Sequence, residues 1–387
     1  MAGCGTGASG AGWDHDRDRG EGEAQVPHTQ IAAAEIRLPA SPSLHDDLAF
    51  YQGELGFRLE QIFPAEDPAV AVLSGHGVRL RLERGAPEAP GTLRLTCRDP
   101  AAYADGLVAP NGTRIEIDQA NPPLEIPQTA HAFAVRQLRD GEPWIIGRAG
   151  MAYRDLIPDR LGGSIIASHI RIPDGGPVPD MVHYHTVGFQ LIYCYRGWVD
   201  LVYEDQGPPF RLGAGDCVIQ PPEIRHRVLF ASDNIEVIEI GVPAEHITTI
   251  DHEMELPTPV VNRDRDFSGQ RFCHHRLAEA AWTPWRLPGF DHRETGIADA
   301  TSGVAGVQVA RVSLPTPVTW RHDTDIHFSF VLEGALTLSA DGHADHRLTA
   351  GDAFTIPPGL SMTYADLDPQ LELLEVSLPG RFATVLA

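Results

Sequence analysis

Apolar and polar residues alternate through most of the second half of this chain, and that period of two predicts strands. Such runs cover Ile165–Ile172, Val182–His185, Phe189–Tyr195, Val199–Tyr203, Cys217–Gln220 and Ile235–Ile240. Pro173-Asp174-Gly175-Gly176 and Asp205-Gln206-Gly207 separate them as turns. The first part of the chain reads differently. Residues 1–28 are rich in Gly, Asp and Ala with almost no large apolar residues, which predicts a disordered tail. Residues 29–98 run strand, helix, strand, strand, strand. Leu44–Leu55 has helical apolar spacing with Ser43 as its cap, Gly56-Phe57 ends it, and Arg58–Phe63, Ala69–Leu73 and Val78–Leu82 follow. Residues 99–160, with Pro122, Pro123 and Pro127, read as an irregular connecting segment that wraps a neighbouring domain.

The strand pattern repeats. "FQLIYCYRGWVDLVY…FRLGAGDCVIQPPEIRH" recurs as "FSFVLEGALTLSA…HRLTAGDAFTIPPGLSM", with Gly334 answering Gly197, Gly351 answering Gly215 and Pro357 answering Pro221. The expected fold is therefore mainly β: two tandem barrels over residues 161–246 and 301–387, joined by a linker over 247–300 and preceded by a small α+β module.

The first copy carries the chemistry. His183 and His185 sit at i and i+2 of one strand and so share a face. Gln190, Gly197, Gly215, Pro221 and His226 complete the pattern H-x-H-x4-Q-x6-G and G-x5-P-x4-H. Neutral imidazole is the commonest protein ligand for transition metals. This pattern resembles the paired motifs of the cupin superfamily, G-x5-H-x-H-x3,4-E-x6-G and G-x5-P-x4-H-x3-N. Gly176 lies one residue further from His183 than that pattern has it, Gln190 stands at the Glu position and Phe230 at the Asn position. The resemblance implies jelly-roll-type cupin barrels and a divalent metal held by His183, His185, Gln190 and His226. With Gln at the Glu position, the site is expected to lack a carboxylate base. Gentisate-type and quercetin-dioxygenase-like bicupins imply an Fe(II) dioxygenase that takes O2 and a small phenolic or organic-acid substrate, with Ni, Zn, Mn or Cu as other candidate metals. Cupin lyases and isomerases that use the metal as a Lewis acid imply a second reading, and a non-enzymatic small-molecule-binding protein a third. In the second copy the four positions become Trp320, His322, His327 and Met362. Two ligands hold a metal poorly, so that barrel reads as structural, although Asp323 and Asp325 could in principle complete a site.

Residues 29–98, with "AFYQGELGF", resemble one module of the glyoxalase or vicinal-oxygen-chelate superfamily. Only Glu35 and Glu83 on its first and last strands could be ligands, so an accessory or dimerising role is expected, and with it a possible homodimer.

Other residues could reach the first barrel's cavity. His169 and Arg171 share one face of their strand. If that face is inward, Arg171 can hold a substrate carboxylate and orient it for catalysis. Ile192 and Cys194 are in phase with Gln190, and Ile224, Val228 and Phe230 with His226, giving apolar walls. Trp198 and Tyr203 read as packing, and His246, His252, His274 and His275 as surface residues.

Composition narrows the partners. The formal net charge of −23 disfavours nucleic acid and anionic membrane surfaces. All 30 basic residues are Arg, so no lysine is present for Schiff-base or pyridoxal-phosphate chemistry. Five cysteines without a C-x-x-C pair suggest a reducing compartment. With no apolar run long enough to cross a bilayer and no signal-like start, the cytoplasm is the expected location.

Overall fold

The computed structural model describes residues 31–141 and 143–387. The tail expected over 1–28 lies outside them. The chain divides into two compact units, one ending at Pro123 and the other running over Leu124–Ala387.

The first unit has the expected strand–helix–three-strand order. Strand Ile36–Pro39 pairs in parallel with Val78–Glu83, which pairs antiparallel with Val70–Gly75, and that in turn with Arg58–Phe63. Helix Leu44–Gly53 starts at Ser43, whose Oγ accepts the Asp46 N–H at 3.3 Å. Tyr51 on the helix and Phe57, Leu73, Leu80 and Leu82 beside it form the core. Glu35 and Glu83 are ion-paired to Arg79 and Arg81. The unit extends beyond residue 98 because Thr92–Cys97 pairs in parallel with Arg114–Gln119.

The second unit is two β-sandwich barrels with matching sheet orders. In the first, a seven-stranded sheet runs Cys273–His275, Cys217–Ile219, Phe189–Arg196, Ile235–Val242, Ile166–Ile172, Ala152–Asp155, Ile145–Ile146. It faces a sheet ordered Phe210–Gly213, Trp198–Tyr203, His226–Ala231, His183–Thr186, Ile247–Ile250. In the second barrel the large sheet centres on Gly306–Val312, Glu372–Leu378 and Ile326–Glu333, and the smaller on Ala335–Ala340, Met362–Ala365 and Val318–His322. The segments expected to connect in fact add strands at and next to the sheet edges. Ala134–Arg136 joins the second barrel, while Ile145–Ile146 and Ala152–Asp155 join the first. From the expected linker, Ile247–Ile250 and Cys273–His275 pair with the first barrel, and Phe290–Glu294 pairs with the second.

Strand periodicity decides which side chain meets which core. Phe189, Leu191, Tyr193, Ile238 and Ile240 on the first large sheet share one core with Phe328, Phe330, Leu374 and Val376 on the second. The two large sheets thus bury their outer faces against each other. Their alternate residues face the barrel interiors, so Cys194 and Ile235 belong to the first interior and Phe354 and Leu373 to the second. Because both faces are covered, these strands are nearly continuous apolar runs. A polar side chain on an inner face is therefore conspicuous, and in the first barrel Gln190 and Glu239 are two such side chains.

Candidate metal centre and cavity

Three histidines converge inside the first barrel. His183 and His226 are directly opposite each other across antiparallel strands, and His185 is two residues along on the same face as His183. One ring nitrogen from each lies within 4.8 Å of the other two, and all three residues are buried. Each ring is oriented through Nδ1. His183 Nδ1 donates to the Met181 carbonyl at 2.7 Å and His226 Nδ1 to the Ile224 carbonyl at 3.0 Å. His185 Nδ1 is hydrogen-bonded to Thr248 Oγ1 at 3.0 Å, from the strand paired beside it. A carbonyl only accepts, so the first two rings keep a lone pair on Nε2. Burial, reinforced by Arg148 at all three and by neighbouring rings at His185 and His226, pushes the pKa values of the three histidines below the usual range and keeps them neutral. His183 Nε2 is buried without a hydrogen-bond partner. Neutral, oriented imidazoles with an orphaned nitrogen fit a divalent cation.

Gln190 is fully buried beside a carboxylate that the motif does not contain. Its Nε2 donates to Glu239 Oε1 at 2.6 Å, and its Oε1 has no partner. Glu239 lines the cavity, whereas Gln190 stands behind it. The expectation of a site without a carboxylate is thus corrected by a neighbouring strand. Glu239 pairs with Ile192, two residues on from Gln190. The sequence does hold a signal for it. "IEVIEIGVP" is answered in the second copy by "LELLEVSLP", which aligns Glu239 with Glu375.

The cavity encloses about 620 Å³ of empty space, its mouth included. Ile170, Ile172, Ile192, Val228, Ile235 and Val237 supply much of its wall. Tyr203, expected only to pack, also lines it. Tyr203 stacks on His226 and its hydroxyl accepts from Gln220 at 2.9 Å. Tyr153 stands at the wall too, its hydroxyl pushed up to about 12 by burial and by Glu239.

Arg171 does not reach this space. Ile170 and Ile172 take the inward positions of its strand, so His169 and Arg171 point to the face between the barrels. There both pair with Glu236, at 2.6 and 3.1 Å, and Arg171 lies over Trp144. The arginine that lines the cavity is Arg148, from the turn before Met151. Its guanidinium donates to Asp180, whose second oxygen accepts the Val228 N–H. Phe230 also leaves the wall. A register shift between Asp200 and Leu201 inserts one extra residue after Val228, which reverses the phase of the strand, and Phe230 stacks outside on Trp198. Cys194 is a core thiol, its pKa pushed up to about 12 by burial. His246, expected at the surface, lies 5.3 Å ring to ring from His185. His274 is half-buried and stacks on Phe210.

The second barrel is closed around a different cluster. His327, at the position of Gln190, bonds to Glu375 at 2.9 Å, and Arg286 inserts against the same carboxylate. Trp320 and Met362 fill the places of His183 and His226 in its apolar core. Asp323 and Asp325 are engaged elsewhere, by Ala383 N–H and by Thr129 and His131. Among the described residues the only three-ligand group is His183, His185 and His226.

Comparison with known proteins agrees with this architecture. Residues 314–367, in the second barrel, match the cupin domain family. No curated protein sequence matches. Among solved structures, a variant of the B. subtilis oxalate decarboxylase is similar at 15% identity and TM-score 0.51, covering 67% of this chain and 81% of that one. Salicylate 1,2-dioxygenase from Pseudaminobacter salicylatoxidans is similar at 16% identity and TM-score 0.50, covering 68% and 91%. A further Bacillus subtilis oxalate decarboxylase structure, described by its Mn(II) centres, is similar at 14% identity and TM-score 0.50, covering 67% and 81%. The doubled sheets, the internal repeat and these likenesses make the chain a bicupin by fold, with two cupin barrels in tandem.

Proposed function

We propose that the second unit is a metal-dependent bicupin enzyme acting on a small organic acid or phenol, with the divalent ion held by His183, His185 and His226. The observation that carries this reading is the convergence of three buried, neutral, oriented imidazoles at an apolar cavity. Gln190 acts by positioning Glu239, and its Oε1, buried without a hydrogen-bond partner, is the atom it would offer to the ion. The preferred metal is Fe(II) and the preferred reaction a dioxygenation. When bound, the ion supplies Lewis acidity and, as iron, one-electron chemistry toward O2. The protein's own groups do the rest. The apolar walls exclude water, and Arg148 offers a fixed cation. Glu239 keeps one oxygen on Gln190, and its Oε2, which no described residue hydrogen-bonds, is available to accept a proton.

That same carboxylate favours a second reading, a lyase or isomerase in which Glu239 moves a proton and no O2 is consumed. The N-terminal unit has an accessory or dimerising role in either case. The deciding experiment is anaerobic purification with elemental analysis, followed by O2 uptake on the Fe(II)-reconstituted protein over a phenol and organic-acid panel. Stoichiometric metal with substrate-dependent O2 uptake is expected. Turnover without O2 uptake selects the second reading, and protein that retains no metal overturns both.

A further inference from the structure

Half of the polar side chains that line the cavity are shared with a second space, while His183, Tyr203, Gln220 and His226 line the cavity alone. Arg148, Tyr153, His185 and Glu239 line the inner chamber, and the same four line a second, outer groove of about 980 Å³ of empty space. That groove adds Asp155, Arg160 and His246. These four side chains are therefore the partition between an apolar chamber and the outer approach to it. A molecule seated in the chamber meets them at the end that faces the outer groove.

Two members of this partition have unused hydrogen-bonding capacity of opposite kinds. Arg148 has five N–H donors, and among the described residues one hydrogen bond, to Asp180, occupies it. Asp180 is nearly fully buried and is also held by the Val228 N–H, so it fixes the arginine in place. About a third of the Arg148 side chain remains exposed. Glu239 spends Oε1 on Gln190 and offers Oε2 as an acceptor. One anchored cation and one anchored acceptor, with aliphatic walls behind, describe a ligand by complement.

The geometry points to a hydroxy acid as the substrate class: a carboxylate bound by Arg148, a hydroxyl donating to Glu239, and a compact apolar body in the chamber. This rests on the reading of the cavity as the substrate site. Arg148 and Glu239 are then its specificity-determining residues, and Arg171 is not.

The test is isothermal titration of the full-length protein, with and without added MnCl2. The probes are mandelate and 2-hydroxyisovalerate, compared with phenylacetate, isovalerate and isobutanol. Both hydroxy acids should bind more tightly than their deoxy partners, and isobutanol most weakly. Arg148→Gln should weaken every acid by about tenfold or more and leave isobutanol unchanged, whereas Arg148→Lys should retain part of the affinity. Glu239→Gln should erase the advantage of mandelate over phenylacetate. Circular dichroism of each variant checks its fold, and the Lys variant tests the anchor if the Gln variant does not fold. Absence of saturable acid binding up to about 10 mM, or equal acid affinity in wild type and Arg148→Gln, overturns the inference. Arg148-dependent acid binding in protein that takes up no metal would keep it while the metal-enzyme reading fails.

Discussion

At His185 the ring is held by a single hydroxyl, Thr248 Oγ1 at 3.0 Å, whereas His183 and His226 are held by backbone carbonyls. Only His185 can therefore lose its orienting partner through one side-chain change. Thr248→Val should lower metal affinity about ten- to a hundredfold, as removal of such partners generally does. Chelator competition would measure it. His183→Ala should abolish stoichiometric metal outright, read by elemental analysis. In the second barrel, burial alone would raise the Glu375 carboxyl, but Arg286 and His327 hold it down at about 2. Its folded pKa lies below the unfolded value of about 4.3, so its contribution, on the order of 3 kcal/mol, is complete above that value and lost as pH falls toward 2. Burial pushes His322 down to about 3. It folds neutral, so its contribution is complete above its unfolded pKa of about 6.5 and declines as pH falls from there toward 3. Glu375→Gln should flatten the acid limb of stability below about pH 4.5 while leaving the His322 limb, checked by urea unfolding across pH. At this scale the sequence announced some residues and concealed others. His183, His185 and His226 follow from two spacings. Arg148 belongs to a turn with no periodicity, and nothing local says which way its side chain reaches.

At the level of elements, turn glycines fix where each strand ends. Gly334 has φ of +70°, and a Cβ there would meet Leu371 N at 2.7 Å. Gly334→Ala combines left-handed strain with a backbone clash that no side-chain rotation relieves. A loss of about 1–3 kcal/mol is expected, measured by denaturant unfolding. The repeat located this glycine and the central strands on either side of it. The edge strands were not legible for a physical reason. Ile145–Ile146 and Thr283–Pro284 are two residues long, too short to show a period, and their pairing is decided by the sheet they join. The same cause hid the bulge after Val228. A single inserted residue leaves alternation intact on paper while turning Phe230 outward.

For the whole molecule, the two units have separate cores. The first is built on Tyr51, Phe57 and Leu82, and the second on the barrel interiors and the layer between them. Protein comprising residues 124–387 should therefore fold and bind metal with unchanged stoichiometry, tested by circular dichroism and elemental analysis. Loss of metal on removing the first unit would show that the barrels depend on it. A bicupin was readable because its repeat is long and its motif spacing survives in both copies. The start of the second unit was obscured because residues 124–160 belong to two barrels at once.

Strand Ile235–Val242 turns Glu239 toward the chamber and presses Ile238 and Ile240 onto Phe328 and Phe330 of the other barrel. The acid that would meet the substrate is mounted on a beam whose rear support is a domain that, among the described residues, has no three-ligand group. Heating that softens the silent domain should thus blunt ligand discrimination before the chain melts as a whole, and repairs made there should be felt at the front.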